Sequence, residues 1–180
     1  AIDELVISIV PVFIGEGIPL LAPRHREVPL RLLSSKAFPD GVVQRIRVAS
    51  SSALAARYLA REDASTMALF GSGWQAGSHL PAMCAVRPIK RVNVFSPTKG
   101  NLEAFVKELQ PKVEAEVRAA ESPEDAVRDA DIIATTTNSL TRVVNPDWVK
   151  PGLHLTCVRV PELGDETIRR TTWRRIQKLV

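Results

Sequence analysis

Short apolar runs alternate with amphipathic stretches along most of the chain. The apolar runs are rich in β-branched residues and predict strands, whereas the stretches between them carry apolar residues at helical spacing, as at Leu102, Phe105 and Leu109. Strands that alternate with helices predict βαβ units, so we expect an α/β fold with a doubly wound parallel sheet. The predicted strands are 67–70, 92–95, 113–119, 131–137 and 153–158.

The first 47 residues show a different pattern. Apolar runs at 5–14, 28–35 and 42–48 predict three strands, and a helix is expected to follow with Ser50, Ser51 and Ser52 as N-cap hydroxyls. Asp40-Gly41 is a dipeptide typical of tight hairpins, so the second and third strands should pair antiparallel. The predicted organisation is a β-strand segment over residues 1–47 and an α/β domain over residues 48–180.

Residues 67–76 read Met-Ala-Leu-Phe-Gly-Ser-Gly-Trp-Gln-Ala, an apolar strand that leads into a glycine turn and the start of a helix. Gly71 permits the tight turn, Gly73 lets the backbone approach a phosphate, and Ala76 keeps the helix close to its strand. The helix start offers unpaired N–H groups and a partial positive charge to an anion. The pattern predicts a nucleotide pyrophosphate site, although a purely structural strand–turn–helix explains these ten residues equally well.

The end of the second strand of the α/β region indicates which dinucleotide is preferred. Sites specific for NAD place Asp or Glu there to accept the ribose hydroxyls. Here the chain reads Phe95-Ser96-Pro97-Thr98-Lys99, without a carboxylate. Ser96, Thr98 and Lys99 could instead bind a 2′-phosphate, which favours NADP over NAD. The missing acid also argues against an S-adenosylmethionine methyltransferase.

The composition is that of an ordinary globular protein and excludes several partners. The 180 residues are 45% hydrophobic and 24% charged, with a net charge of +4. Basic residues are spread out except near 169–178, which is typical of a solvated helix face, and aromatic residues are too few for base stacking, so no nucleic-acid partner is expected. The longest apolar stretch, 5–14, is too short to span a bilayer, so no membrane association is expected.

The cysteine and histidine residues give no sign of a metal site. Cys84 and Cys157 lie far apart in apolar stretches, and the three histidines are scattered. Buried free thiols in a reducing compartment are the simplest interpretation, so we expect a cytoplasmic protein without a bound metal.

Four segments together resemble the dinucleotide-binding domain of the ornithine cyclodeaminase/mu-crystallin family over about residues 46–170. Members of that family couple a nicotinamide cofactor to chemistry on amino acids or cyclic imines, and some mainly bind a ligand. The resemblance implies a Rossmann-like fold, NADP or NAD as cofactor, and an amino acid or imine as the small-molecule partner. The four segments are 47–59, 71–76, 131–138 and 148–155.

The resemblance also implies roles for individual residues. Arg47 matches a family arginine that pairs with the substrate carboxylate, for which a planar guanidinium is well suited. The family's catalytic aspartate is replaced by Pro161, so the neighbouring Glu162 is predicted as general acid/base and Asp165 is the second choice. A surface arginine and a solvated loop carboxylate stay open as alternatives. The implied cofactor-binding residues are Gly71, Ser72, Gly73, Trp74, Gln75, Ala76, Ser96, Thr98, Lys99, Thr136, Thr137 and Asn138.

Residues 1–47 resemble something else, namely the closing strands of the dihydrofolate reductase-like domain of riboflavin biosynthesis. The likeness rests on 3–17 and on the turn at 38–43. It implies that this segment contributes strands and no chemistry, and that the chain joins pieces of two enzyme families near residues 44–48. Three hypotheses follow: an NADP-dependent enzyme, a dinucleotide-binding module without turnover, and a structural chimera in which strand pairing forms a homodimer.

Overall fold

The computed structural model describes residues 42–176, with side chains described for 48–159 and 161–170. The chain divides into two compact units, residues 1–44 and 45–180, and the sheet lies entirely in the second. The strands predicted at 5–14 and 28–35 lie outside the described residues. The predicted boundary between residues 47 and 48 stays a prediction.

A parallel sheet forms the centre of the second unit. Its strands are β1 (Thr66–Phe70), β2 (Arg91–Phe95), β3 (Glu116–Ala119), β4 (Ile132–Thr135) and β5 (His154–Cys157). All neighbours pair in parallel, in the order β3-β2-β1-β4-β5. This order, with the first strand in the middle and the chain winding outward to both sides, is that of a doubly wound Rossmann-like sheet. The predicted α/β class is confirmed.

Helices connect the strands and cover the sheet. Ser122 caps the fourth helix, because its hydroxyl oxygen accepts a hydrogen bond from the backbone N–H of Asp125 at 3.0 Å. None of the helices in the described part of the chain is long and apolar enough to cross a bilayer. The helices are α1 (Val42–Leu59), α2 (Ala76–Val86), α3 (Lys99–Leu109), α4 (Pro123–Val127) and α5 (Gly164–Ile176).

The central strands are buried on both faces, as their uninterrupted apolar sequences require. Met67 and Leu69 face a core cluster with residues of α1, α2 and α3, whereas Ala68 and Phe70 face a second cluster with residues of α4 and with Leu163. Side chains alternate between the two faces of a strand, so consecutive apolar residues need apolar cover on both sides. The two layers of helices supply that cover.

The strand predicted at 42–48 is wrong, since these residues form the first part of α1. Their β-branched side chains favour a strand, but residues 42–59 contain no glycine or proline that would end a helix, and the alanine- and leucine-rich second half favours one. The helix therefore extends through the β-branched residues. The hairpin predicted between 28–35 and 42–48 therefore lacks its second strand. Ser50, Ser51 and Ser52 lie inside α1 and do not cap it.

Candidate functional site

The crevice of the sheet lies where the strand order reverses, between β1 and β4. These two strands pair with Phe70 opposite Thr135, so both end at the same edge. In doubly wound sheets this edge is where ligands bind. The three loops that carry the predicted cofactor-binding residues, 71–76, 96–99 and 136–138, follow β1, β2 and β4. The structure therefore brings together at one edge the residues that the sequence analysis singled out.

Gly71 is required by the packing of the protein itself. Its φ is +106°, and a Cβ atom there would lie 3.1 Å from both the carbonyl oxygen and the hydroxyl oxygen of Thr136. The Gly71 N–H donates to the carbonyl oxygen of Phe95 at 2.8 Å, which ties the turn to the end of β2. Thr136 in turn donates both its N–H and its hydroxyl to the carbonyl oxygen of Phe70, each at 2.9 Å. The turn after β1 and the loop after β4 thus fit closely together.

Gly73 has no such internal requirement. Its φ is not in the positive region, and a Cβ atom built on it meets nothing within 4 Å. Among the described residues, no acceptor pairs with the backbone N–H groups of Ser72, Gly73 or Gln75. Open space beside unpaired N–H groups at the start of α2 is an arrangement that binds an anion. Trp74 lies in the same turn and is 56% exposed.

His79 connects the end of the glycine turn to α1. Its Nδ1 lies 2.9 Å from the carbonyl oxygen of Gln75, and its Nε2 lies 3.2 Å from the hydroxyl oxygen of Ser52 in α1. Because a carbonyl oxygen only accepts, Nδ1 carries the proton and the neutral ring accepts from Ser52. Burial lowers the pKa of His79, and the hydrogen bond to Gln75 and the charge of Glu162 oppose that shift. Sequence analysis missed this contact, although the spacing of four residues between Gln75 and His79 was a signal for it.

The residues at the end of β2 form the positive side of the crevice. Thr98 is the N-cap of α3 but its hydroxyl makes no capping hydrogen bond, and the first turn of that helix holds no acidic residue. Thr98 and Lys99 are exposed and Ser96 is half-buried. A helix N-terminus with a lysine and two uncommitted hydroxyls favours a bound anion.

Glu162 lies at the end of the short 3-10 helix Val160–Glu162 and is 0% exposed. One carboxylate oxygen accepts hydrogen bonds from the N–H and the hydroxyl of Thr137, at 2.7 and 2.6 Å. The other accepts from the hydroxyl of Thr135 and the N–H of Arg159, both at 3.0 Å. Four donors therefore surround the carboxylate, and its assignment as general acid/base stays a prediction.

Asp165 and Arg47 are the remaining predicted residues. Asp165 is exposed in the first turn of α5. Arg47 belongs to α1 by its backbone, and its side chain lies outside the described part. Within the described residues, no three His, Cys, Asp or Glu side chains are placed to hold a metal ion.

Thr135 is the site residue that sequence analysis did not single out. It is 1% exposed, and its hydroxyl donates to Glu162. The alternation of side chains along an extended chain was an available signal, since it places Thr135 and Thr137 on the side opposite to Thr136.

Comparison with known proteins agrees with this geometry. Residues 36–179 match the model of the ornithine cyclodeaminase/mu-crystallin family. The chain belongs to this family. It is 34% identical over 142 residues to the Delta(1)-pyrroline-2-carboxylate reductase of Bacillus cereus, covering 79% of this chain and 42% of that protein. It is 29% identical over 177 residues to the ketimine reductase mu-crystallin of Macropus fuliginosus, covering 93% of this chain and 55% of that protein.

A solved structure of a family member shows the same fold. The Delta(1)-pyrroline-2-carboxylate reductase of Thermococcus litoralis, in complex with NADH and L-proline, superposes with a TM-score of 0.66 and 32% identity. The match covers 70% of this chain and 41% of that one. The chain spans about half the length of the curated relatives it matches.

Proposed function

We propose that this chain binds NADP or NAD across the carboxyl ends of β1, β2 and β4, as the nucleotide-binding part of an oxidoreductase or deaminating enzyme that acts on amino acids or cyclic imines. The observation that carries the proposal is Gly73. No contact among the described residues explains the absence of a side chain there, whereas a pyrophosphate that receives the N–H groups of Ser72, Gly73 and Gln75 does. The reductase of Thermococcus litoralis, which holds NADH, supports it.

We further propose that the nicotinamide end lies over the loop after β4. The glycine turn would hold the pyrophosphate, and Thr136, Thr137 and Asn138 would then meet the ribose and the ring. The bound cofactor would supply or accept a hydride at the substrate carbon. Arg47 would hold the substrate carboxylate, because a guanidinium binds that group bidentately.

NADP is the proposed preference over NAD. The chain has no carboxylate at 96–99 to accept ribose hydroxyls, and Ser96, Thr98 and Lys99 offer two hydroxyls and a cation to a 2′-phosphate. The solved reductase of Thermococcus litoralis holds NADH and an archaeal alanine dehydrogenase holds NAD, so this preference is a property to be tested for this chain.

The alternative is a dinucleotide-binding module without turnover. A fusion with a dihydrofolate reductase-like segment and a homodimer remain hypotheses. The alignment with the kangaroo mu-crystallin covers 93% of the chain and therefore includes most of residues 1–47, which favours one continuous family sequence over a fusion. A cytoplasmic location also stays a prediction.

Titration with NADPH and NADH, followed by tryptophan fluorescence, tests the proposal. Saturable binding of both is expected, with NADPH tighter, and Trp74→Phe should remove most of the signal because that side chain lies in the phosphate turn. Lys99→Ala should weaken NADPH about tenfold and leave NADH unchanged, since a charge-assisted hydrogen bond is worth about 1.5–3 kcal/mol. No response to either cofactor at millimolar concentration would refute the proposal. Consumption of bound NADPH with cyclic imines then separates an enzyme from a binding module.

A further inference from the structure

The loop after β4 is held from both sides. Thr136 binds toward the glycine turn, through two hydrogen bonds to the carbonyl oxygen of Phe70. Thr135 and Thr137 point the opposite way and both donate to Glu162. Side chains of an extended chain alternate in direction, so three consecutive threonines can anchor the loop to two different partners. The position of the loop relative to the glycine turn therefore depends on both anchors.

Glu162 connects this loop to two further segments. Its carboxylate binds the N–H of Arg159, just after β5. Its backbone carbonyl oxygen accepts hydrogen bonds from the N–H groups of Val143 at 2.7 Å and Val144 at 3.3 Å. Arg159 also donates from Nη1 to the carbonyl oxygen of Asn138 at 3.2 Å. The Glu162 side chain thus joins the loop after β4 to the chain after β5, and the Glu162 backbone holds residues 143–144.

The hydrogen bonds of Glu162 leave no capacity for proton exchange with a ligand. A carboxylate offers about four lone-pair sites, and four donors from the protein occupy them. The side chain is fully buried, so a substrate cannot reach it without breaking these bonds. A general acid or base must lie within hydrogen-bond reach of the group it protonates.

We propose that Glu162 is a positioning residue of the cofactor site, which holds Thr137 and Asn138 against the glycine turn and transfers no proton. The inference rests on the proposed cofactor binding. It has a chemical consequence for Thr137, whose hydroxyl hydrogen is committed to Glu162. The hydroxyl oxygen also accepts from the N–H of Ser139 at 3.0 Å, so one lone pair remains. A ligand group that meets it must be a donor, such as a carboxamide NH₂ or a ribose hydroxyl.

The test uses Glu162→Gln, Thr137→Val and a matched control, measured by cofactor titration and by amide hydrogen exchange. In Glu162→Gln, an NH₂ group that cannot accept hydrogen bonds replaces one carboxylate oxygen, so the bonds to that oxygen are lost. The Kd for NADPH should therefore rise about tenfold, and the backbone amide hydrogen of Thr137 should exchange faster. Asp131→Asn is the control. Asp131 accepts from the N–H groups of Ser65 and Thr66 at the opposite end of β4, so its loss should lower Tm and leave the Kd unchanged.

The effects of Thr137→Val and Glu162→Gln on the Kd should be non-additive in the double variant, because each change removes the hydrogen bond between these two side chains. A Kd within about twofold of the wild-type value in Glu162→Gln overturns the inference, as does normal binding combined with lost imine reduction. Should Glu162→Gln not fold, Thr135→Val decides instead, because this buried side chain donates to Glu162 and is not proposed to touch the cofactor. Weaker binding in that variant supports the inference and unchanged binding overturns it. A wild-type chain that binds neither cofactor refutes the proposed function instead, so the two failures are distinguishable.

Discussion

The two glycines of the turn should respond in opposite ways to the same substitution. Gly71→Ala places a methyl group at a φ of +106°, which costs about 1–3 kcal/mol in a residue with a side chain. The methyl group would also lie 3.1 Å from the carbonyl oxygen of Thr136. This backbone is held by two hydrogen bonds to Phe70 and cannot move away freely, so overpacking adds about 1–3 kcal/mol.

The summed penalty for Gly71→Ala is about 2–6 kcal/mol of unfolding free energy. A protein of this size loses about 2–4 °C of Tm per kcal/mol, so Tm should fall by roughly 4–24 °C. Gly73→Ala meets no atom within 4 Å and has no positive φ, so its Tm should stay within about 2 °C of the wild type. Its NADPH affinity should nevertheless fall at least about tenfold, because the methyl group occupies the space left for a phosphate.

Thermal denaturation by circular dichroism and cofactor titration by fluorescence, both on the 180-residue chain, measure the two effects. We expect Gly71→Ala to lose stability, and Gly73→Ala to lose cofactor affinity without losing stability. A Gly73→Ala protein that binds NADPH like the wild type would show that the open space is not a phosphate site. A Gly71→Ala protein with an unchanged Tm would show that the close fit with Thr136 is not rigid.

Two further predictions concern stability. Burial lowers the pKa of His79, so the stability it contributes is fully present above the unfolded-state value of 6.5 and is lost as the pH falls through the lower folded-state value. Between about pH 8 and about pH 5, Tm should therefore fall less in His79→Gln than in the wild type. An equal fall in both proteins would contradict the lowered pKa of His79. Ser122→Ala should lower the free energy of unfolding by about 1 kcal/mol and Tm by about 3 °C. Thr98→Ala is the control, because the Thr98 hydroxyl makes no capping bond, and the Tm of the ligand-free protein should stay unchanged. An equal loss of Tm in both variants would argue against the Ser122 cap.

Local patterns were sufficient for the strands of the sheet and for the turn at Gly71. The central strands β1 and β4 are short apolar runs, and burial on both faces requires that pattern whatever their neighbours are. The Ser122 cap is equally local, because an N-cap bond joins residues only three positions apart. Strand ends were less accurate: 113–119 was predicted where β3 is Glu116–Ala119, since the residues at strand ends differ little from those of loops.

Local patterns misled at residues 42–48, where β-branched side chains favour a strand but the chain continues as α1. Propensity is a weak preference, and a helix that packs against α2 through Ser52 and His79 outweighs it. No feature within these seven residues records that contact, because His79 lies far along the chain.

The sequence by itself determined the α/β class, the family and the edge of the sheet at which a dinucleotide would bind, because each depends on short motifs whose order alone carries the information. Only the tertiary structure shows which groups surround Glu162. From the sequence it is a loop carboxylate near a catalytic position, but its four donors come from Thr135, Thr137 and Arg159. Two of these residues are far away in the chain, and only the pairing of β4 with β5 brings them to it.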